Sequence, residues 1–401
     1  MINKSQGNSF LVGATLSSGA FAFTTFVGLV TALLVDMSRD LGITVAAVGQ
    51  LTTITALSWA VLAPLIGPWS DRIGHKRILT IGLVTFGVSV FGYGVSNTFF
   101  TLIVSSIFAG LAGAIVGPNI LACIGDYYSA NTYGRAMATN SMAASLAYLV
   151  GVPGFVLIAG NLGWRWSFLL LAIFYLICFL AVVTVLPSSQ FGQSGRGLSY
   201  VSRFKEAFNE KALLPMVIAN TILQGAYWVI AVYLATFLII SYALSTSQLA
   251  PLISSIAVGQ LVGVLAGGLL ADKFNKLRIC MLASILLGMT GLAFILFTQN
   301  VWLSVLWGGL FMGFYGVSRP AYFSLMAMVS TTVRGTVMGI QAVSNHLGRA
   351  IGAAVGGLVL SLLGYEFLGI LSLIFGLAAS AMYVFLFFFM RKAPNDADSR
   401  L

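Results

Sequence analysis

The chain has 401 residues, 59% of them hydrophobic and only 7% charged, against about 25% charged in an ordinary soluble domain. Such a chain cannot cover itself with polar surface in water, so a soluble globular protein is excluded and an integral membrane protein is implied. The formal net charge of +10 sits in short stretches between apolar runs, which reads as topology determinants with attraction for anionic lipid heads, not as a nucleic-acid surface.

A helix needs roughly 20 apolar residues to cross a bilayer, and twelve runs qualify. In the first half they are 9–35, 44–69, 77–97, 99–124, 135–160 and 164–186; in the second, 212–241, 247–271, 278–297, 300–328, 335–363 and 365–390. The first run is too long for a signal-peptide core and no cleavage site follows it, so it is read as a span. Both termini then share one face. Sixteen Lys and Arg residues fall on that face and two, Arg39 and Arg165, on the other. The positive-inside rule makes the crowded face cytoplasmic. Bundles at 1–187 and 211–401 are expected, joined by a cytoplasmic linker at 188–210. Within the linker region, Val201, Phe204, Lys205 and Phe208 are spaced as one face of a short amphipathic helix. Cys123, Cys178 and Cys280 lie in or near apolar runs without metal-ligand spacing, so neither a disulfide framework nor a metal site is expected.

The stretch from Gly67 to Arg77 joins the second and third spans as a tight basic turn. Gly67 lets helices approach closely and Gly74 suits a positive φ in the turn. Offset by 201, Gly268 and Asp272 open a second copy ending at Arg278. Pro118 and Pro320, and Arg135 and Arg334, repeat at nearly the same interval. The doubled loop resembles the signature of the major facilitator superfamily. Its first copy departs in His75, its second in Asn275 and Leu277. The resemblance implies an all-α fold of twelve transmembrane helices in two six-helix pseudo-symmetric bundles. It also implies gating roles for Gly67, Asp71, Arg72, Gly74, Arg77, Asp126, Gly268 and Asp272, with Asp126 and Arg77 as a supporting charge pair and Asp71 near the start of the eleventh helix. Gly151-Val152-Pro153 followed by Gly163-Trp164-Arg165-Trp166-Ser167-Phe168 is similar to the segment found in bacterial drug and sugar efflux members of the superfamily, with Gly151 and Pro153 bending the fifth helix. One departure matters: the arginine usual in the fourth span, four residues before a glycine, is Ser106 before Gly110.

No acid lies deep within a span; Asp36 and Asp40 fall at the outer end of the first and Asp126 at the inner end of the fourth. Arg319 and Arg349 fall near the middle of the tenth and eleventh. Insertion scales charge about 2.5–3.5 kcal/mol for an arginine at a helix centre, so such residues face a cavity or a partner. Gln341, Asn345 and Arg349 recur every four residues as one stripe, with His346 beside it. Asn220, Gln224 and Trp228 form a second stripe, with Tyr227 beside it, and Asn119 and Asn140 add amides in the fourth and fifth spans. These residues are the candidate solute cavity. The chain holds no His-Glu-x-x-His, phosphate-loop or nucleophile-turn motif, so neither an enzyme nor a cofactor is expected. The reading is a monomeric secondary transporter of a bacterial inner membrane, of the efflux type. An organic-anion exchanger or proton-coupled anion symporter, with an anionic solute on the deep arginines, is the alternative.

Overall fold

The computed structural model describes residues 6–187, 200–330 and 333–392, and those residues are helical nearly throughout. The first half contains α1 (Gln6–Ala32), α2 (Leu34–Leu41), α3 (Val45–Ile73), α4 (His75–Val95) and α5 (Phe99–Tyr127). It continues with α6 (Ala130–Leu146), a π turn (Ala147–Gly151), α7 (Val152–Leu162) and α8 (Trp164–Val185). A short helix, α9 (Tyr200–Asn209), leads into the second half. There follow α10 (Leu213–Ala231), α11 (Leu234–Tyr242), α12 (Thr246–Lys273) and α13 (Lys276–Leu296). The chain then forms α14 (Val301–Val329), α15 (Arg334–Leu363) and α16 (Glu366–Lys392). Among the described residues, twelve segments are long and apolar enough to cross a membrane. We call the side where α1 begins and α16 ends the terminal face, and the other the opposite face.

Sequence sets the ends of these helices. Thr44 accepts a hydrogen bond from the Ala47 amide (3.2 Å), and Ser245 and Gln248 form a reciprocal capping box at the start of α12. Between α3 and α4, Gly74 takes φ +99°, a conformation that favours glycine. Its counterpart Asn275 sits at φ −61° and caps α13 by accepting from the Arg278 amide (3.2 Å). This explains the missing glycine in the second copy of the loop, because the turn there has no positive φ to accommodate.

Two interruptions repeat with an offset of 200. The first crossing breaks at Leu33 (φ −104°, ψ 17°) and the seventh at Tyr233 (φ −104°, ψ 3°). Neither break has a glycine or proline to announce it. The fifth crossing is bent by the π turn that ends at Gly151, and Pro153 lies in the first turn of α7, where its missing N–H costs nothing. A Cβ on Gly151 would lie 2.5 Å from the Thr25 hydroxyl and 2.8 Å from the Phe21 ring, so the glycine permits close approach to α1.

The first half is cored by rings. Phe26 meets Phe86, Tyr93 and Phe168 at centroid distances of 5.2, 5.3 and 6.2 Å, and Phe86 stacks on Tyr175. The second half brings α12 and α14 together backbone to backbone, with Gly267 against Val317. Gly268, named in the repeated loop, has open space instead, so the close approach belongs to its neighbour. The halves meet chiefly where α3 packs on α15 and where α7 and the π turn pack on α12. On α9, Ala207 is buried and Phe204 packs on the core, while Phe208 is exposed.

Candidate transport site

The polar stripes of the sequence converge in the second half. Asn345 Oδ1 accepts from Asn220 Nδ2 (2.9 Å), Gln224 Nε2 (2.8 Å) and, at 3.4 Å, Arg319 Nη1. Asn220 also donates to Ser344 Oγ (2.8 Å) and accepts from Arg319 Nη1 (3.5 Å). Tyr315 donates to Gln224 Oε1 (2.9 Å) and stacks on Tyr227 at 3.7 Å. The network therefore joins α10, α14 and α15. Arg319 completes its surroundings with the faces of Phe323 and Tyr315, at 4.7 and 5.5 Å.

Arg349 is placed differently. It is 5% exposed, its guanidinium lies 4.3 Å over the Trp228 ring, and its Nε has no hydrogen-bond partner. Tyr148 and Tyr93 of the first half, and Tyr227 and Tyr315 of the second, lie within electrostatic reach. Tyr93 in turn bonds Ser106 (2.6 Å). His346 stacks on Trp59 of α3 with centroids 3.7 Å apart, a ring contact between the halves.

Other predicted cavity residues are less engaged. Asn119 donates to the Ile115 carbonyl of its own helix (2.7 Å), and its Oδ1 is buried without a partner. Asn140 Oδ1 and Gln341 Nε2 are also buried without one. Sequence reasoning missed Tyr148, Tyr315, Trp59 and Ser344. Only Tyr315 carried a signal, standing one helical turn from Arg319; the others look like ordinary apolar or small residues in their spans.

A cavity of about 40 Å³ lies between the halves, lined by Gly28, Tyr148, Tyr227, Trp228, Ile253 and Met312 among others. Ligand pockets run to about 300–1,000 Å³, so this cavity is smaller than a ligand site. The opposite face is bridged. Thr246 of α12 donates to both oxygens of Asp36 on α2 (2.8 and 3.1 Å), Gln50 donates to the Ala354 carbonyl (3.4 Å), and Ser254 to the Leu149 carbonyl (3.1 Å). Burial raises the Asp36 carboxyl above the ordinary carboxylate range, outweighing the Thr246 hydroxyl and the Arg39 charge, which lower it. Asp40, on the same short helix, is tied to the first half by Arg165 (2.6 Å). Arg165 also donates to the Ser96 carbonyl (3.0 and 2.8 Å) and lies over Trp164, so the efflux-like segment anchors three helix ends.

At the terminal face Asp126 takes His75 as its partner, Oδ2 to Nδ1 2.7 Å. The Asp126–Arg77 pair expected from the sequence is not formed in this structure; His75, the residue that departs from the loop pattern, meets Asp126 from the start of α4. Lys76 donates to the Val183 (3.0 Å) and Leu186 carbonyls, and so caps the end of α8. Asp272 is exposed, with no ion pair among the described residues. The side chains of Asp71, Arg72 and Arg334, and the surroundings of Gly67, lie outside the described residues.

Twelve candidate crossings among the described residues, with a polar cluster joining α10, α14 and α15, fit a membrane transporter. The model of the Major Facilitator Superfamily matches residues 15–267 and 216–400, and the chain belongs to that superfamily. It is 25% identical over 338 residues to Multidrug resistance protein 1 of Bacillus subtilis, covering 83% of this chain and 85% of that protein. It is 24% identical over 339 residues to the quinolone resistance protein NorA of Staphylococcus aureus, covering 82% and 85%. Among solved structures, the nucleoside transporter NupG matches with a TM-score of 0.78 at 15% identity, covering 95% of this chain and all of that one. That likeness bears on the fold. The chain is a secondary transporter of this superfamily.

Proposed function

We propose that the protein exports a small organic anion across a bacterial cytoplasmic membrane by alternating access, as a monomer with its terminal face in the cytoplasm. The moving units are 1–187 and 211–401, connected by 188–210. The observation that carries the reading is the pair Arg319 and Arg349 at mid-membrane depth with no carboxylate partner among the described residues. Fixed cations in a low-dielectric site attract an anionic group and repel a cationic one. Export is supported by the names of the relatives, and a cytoplasmic terminal face by the bias in Lys and Arg. An anion exchanger is the second reading, favoured by the absence of a carboxylate from the described polar cluster, since proton antiport needs a group that releases its proton when solute binds.

The test is uptake into inside-out vesicles from a panel of labelled anionic, neutral and cationic organic solutes. Anions should accumulate, and Arg319→Gln and Arg349→Gln should each reduce their uptake. Accumulation of lipophilic cations alone, or of no solute at all, would overturn the reading. Energising the vesicles with acid inside should stimulate an antiporter and leave an exchanger dependent on a counter-anion.

A further inference from the structure

We infer that Arg349 and the rings around it form a binding site for an aromatic acid, an arene bearing a single carboxylate or sulfonate. The inference rests on the reading of the chain as an organic-anion transporter and names which anions it selects.

The two deep arginines are not equivalent. Arg319 reaches two amide oxygens, Asn220 Oδ1 at 3.5 Å and Asn345 Oδ1 at 3.4 Å, and lies over two rings, all from the second half. Its contacts are those of a residue that holds α10, α14 and α15 together. Arg349 has no hydrogen bond among the described residues, although it is 5% exposed. Its Nε is buried without a partner, which is costly, and the guanidinium presents its N–H donors as a planar fork. A carboxylate or sulfonate meets that fork with two parallel hydrogen bonds. The fork is thus shaped for a planar or near-planar oxyanion.

The rest of the site selects the body attached to that oxyanion. The indole of Trp228 lies 4.3 Å from the guanidinium and also lines the cavity between the halves. Tyr148 and Tyr227 line the same cavity and lie within electrostatic reach of Arg349. Tyr227 is stacked between Tyr315 at 3.7 Å and Phe311 at 5.5 Å, which fixes its plane. Ring faces and edges of this kind favour a second aromatic system by offset or edge-to-face contact. An alkyl chain would gain only burial from them.

The rings that line the cavity come from both halves, Tyr148 from the first and Trp228 and Tyr227 from the second. The cavity of about 40 Å³ is smaller than an arene, so the solute enters when the halves part and is enclosed when they close. Binding at this seam couples occupancy to the rocking motion, because the closed arrangement offers the solute contacts from both halves at once.

The experiment measures binding of labelled 2-naphthalenesulfonate, octanesulfonate and tetraphenylphosphonium to the purified full chain, alongside uptake into inside-out vesicles. Both sulfonates stay ionised at any working pH, so neither crosses the bilayer as a neutral acid. Naphthalenesulfonate should bind at least tenfold more tightly than octanesulfonate. Arg349→Gln should weaken it at least tenfold, and Trp228→Leu should erase the preference for the arene. Arg349→Lys retains the charge without the planar fork and should also lose about tenfold, which keeps the test decisive if the glutamine variant does not fold. Equal binding of the two sulfonates, or an unaltered Arg349→Gln, overturns the inference. Transport of both sulfonates without preference overturns the aromatic class and leaves the anion reading standing; binding and uptake of tetraphenylphosphonium alone overturns both.

Discussion

Replacing Thr246 with valine removes one hydroxyl from the contact that joins the halves at the opposite face and leaves almost everything else in place. Valine keeps the β-branched shape, and the start of α12 is capped independently by Ser245 and Gln248. What is lost is the pair of contacts from Thr246 Oγ1 to Asp36, 2.8 and 3.1 Å. A hydrogen bond to a charged group contributes about 1.5–3 kcal/mol, and Asp36 is only half-buried, so the lower end applies. A loss of about 1.5 kcal/mol shifts the ratio of closed to open opposite face by about tenfold. Spin labels on Leu162→Cys and Gln299→Cys report that ratio as a distance distribution, and Cys123, Cys178 and Cys280 are buried and should stay unlabelled. The valine variant should show a larger long-distance population. Distributions that overlay those of the parent, or an effect that persists unchanged when Asp36 is already asparagine, would refute the role given to this contact.

Asp36 also gives the closure a pH dependence with a definite sign. Its carboxyl is raised when buried in the closed form and ordinary when it meets water, so the closed form binds the proton more tightly. Closing should therefore be favoured as pH falls through the raised value toward the ordinary one near 3.9, and Asp36→Asn should remove that dependence in the same distance measurement. The groups that could confuse the assignment are accounted for: Arg39 acts from the same helix, Asp40 is paired with Arg165, and Tyr242 of α11 is bonded to Ser304 (2.6 Å). Asn345→Ala should lower thermal stability by about 1–3 kcal/mol, since it removes an acceptor from Gln224 and leaves a buried donor unmade; a shift in melting temperature within error of the parent would argue against a buried network. Gly151→Val should impair both folding and transport because its side chain would meet Thr25 and Phe21, and normal expression with normal uptake would show that α1 and the fifth crossing separate more freely than their packing implies.

The crossings were legible because apolar runs of membrane length are few and unambiguous, and the linker helix because Val201, Phe204, Lys205 and Phe208 share one face. Convergence of Asn220, Gln224 and Asn345 followed from their four-residue spacing on two helices. The partners they chose did not, because spacing along one helix says nothing about which neighbour it meets. The breaks at Leu33 and Tyr233 were illegible for a different reason: no proline or glycine marks them. Asp126 was matched with Arg77 through the resemblance, whereas in this structure the fold brings His75 to it across 51 residues of sequence. The difference between Arg319 and Arg349 was hidden too. It depends on which amides and rings stand within reach of each guanidinium, and only the packed helices decide that.

Alternating access itself is tested most directly by measuring both faces in one preparation. Labels on Tyr133→Cys and Phe274→Cys report the terminal face, and labels on Leu162→Cys and Gln299→Cys the opposite one, all four positions being exposed. Halves that rock about a central site must exchange one opening for the other. On adding a transported solute, the two distances should change in opposite directions, and Thr246→Val should widen the opposite face while narrowing the terminal one. Distances that rise and fall together, or a terminal face unmoved while the opposite one opens, would contradict the account.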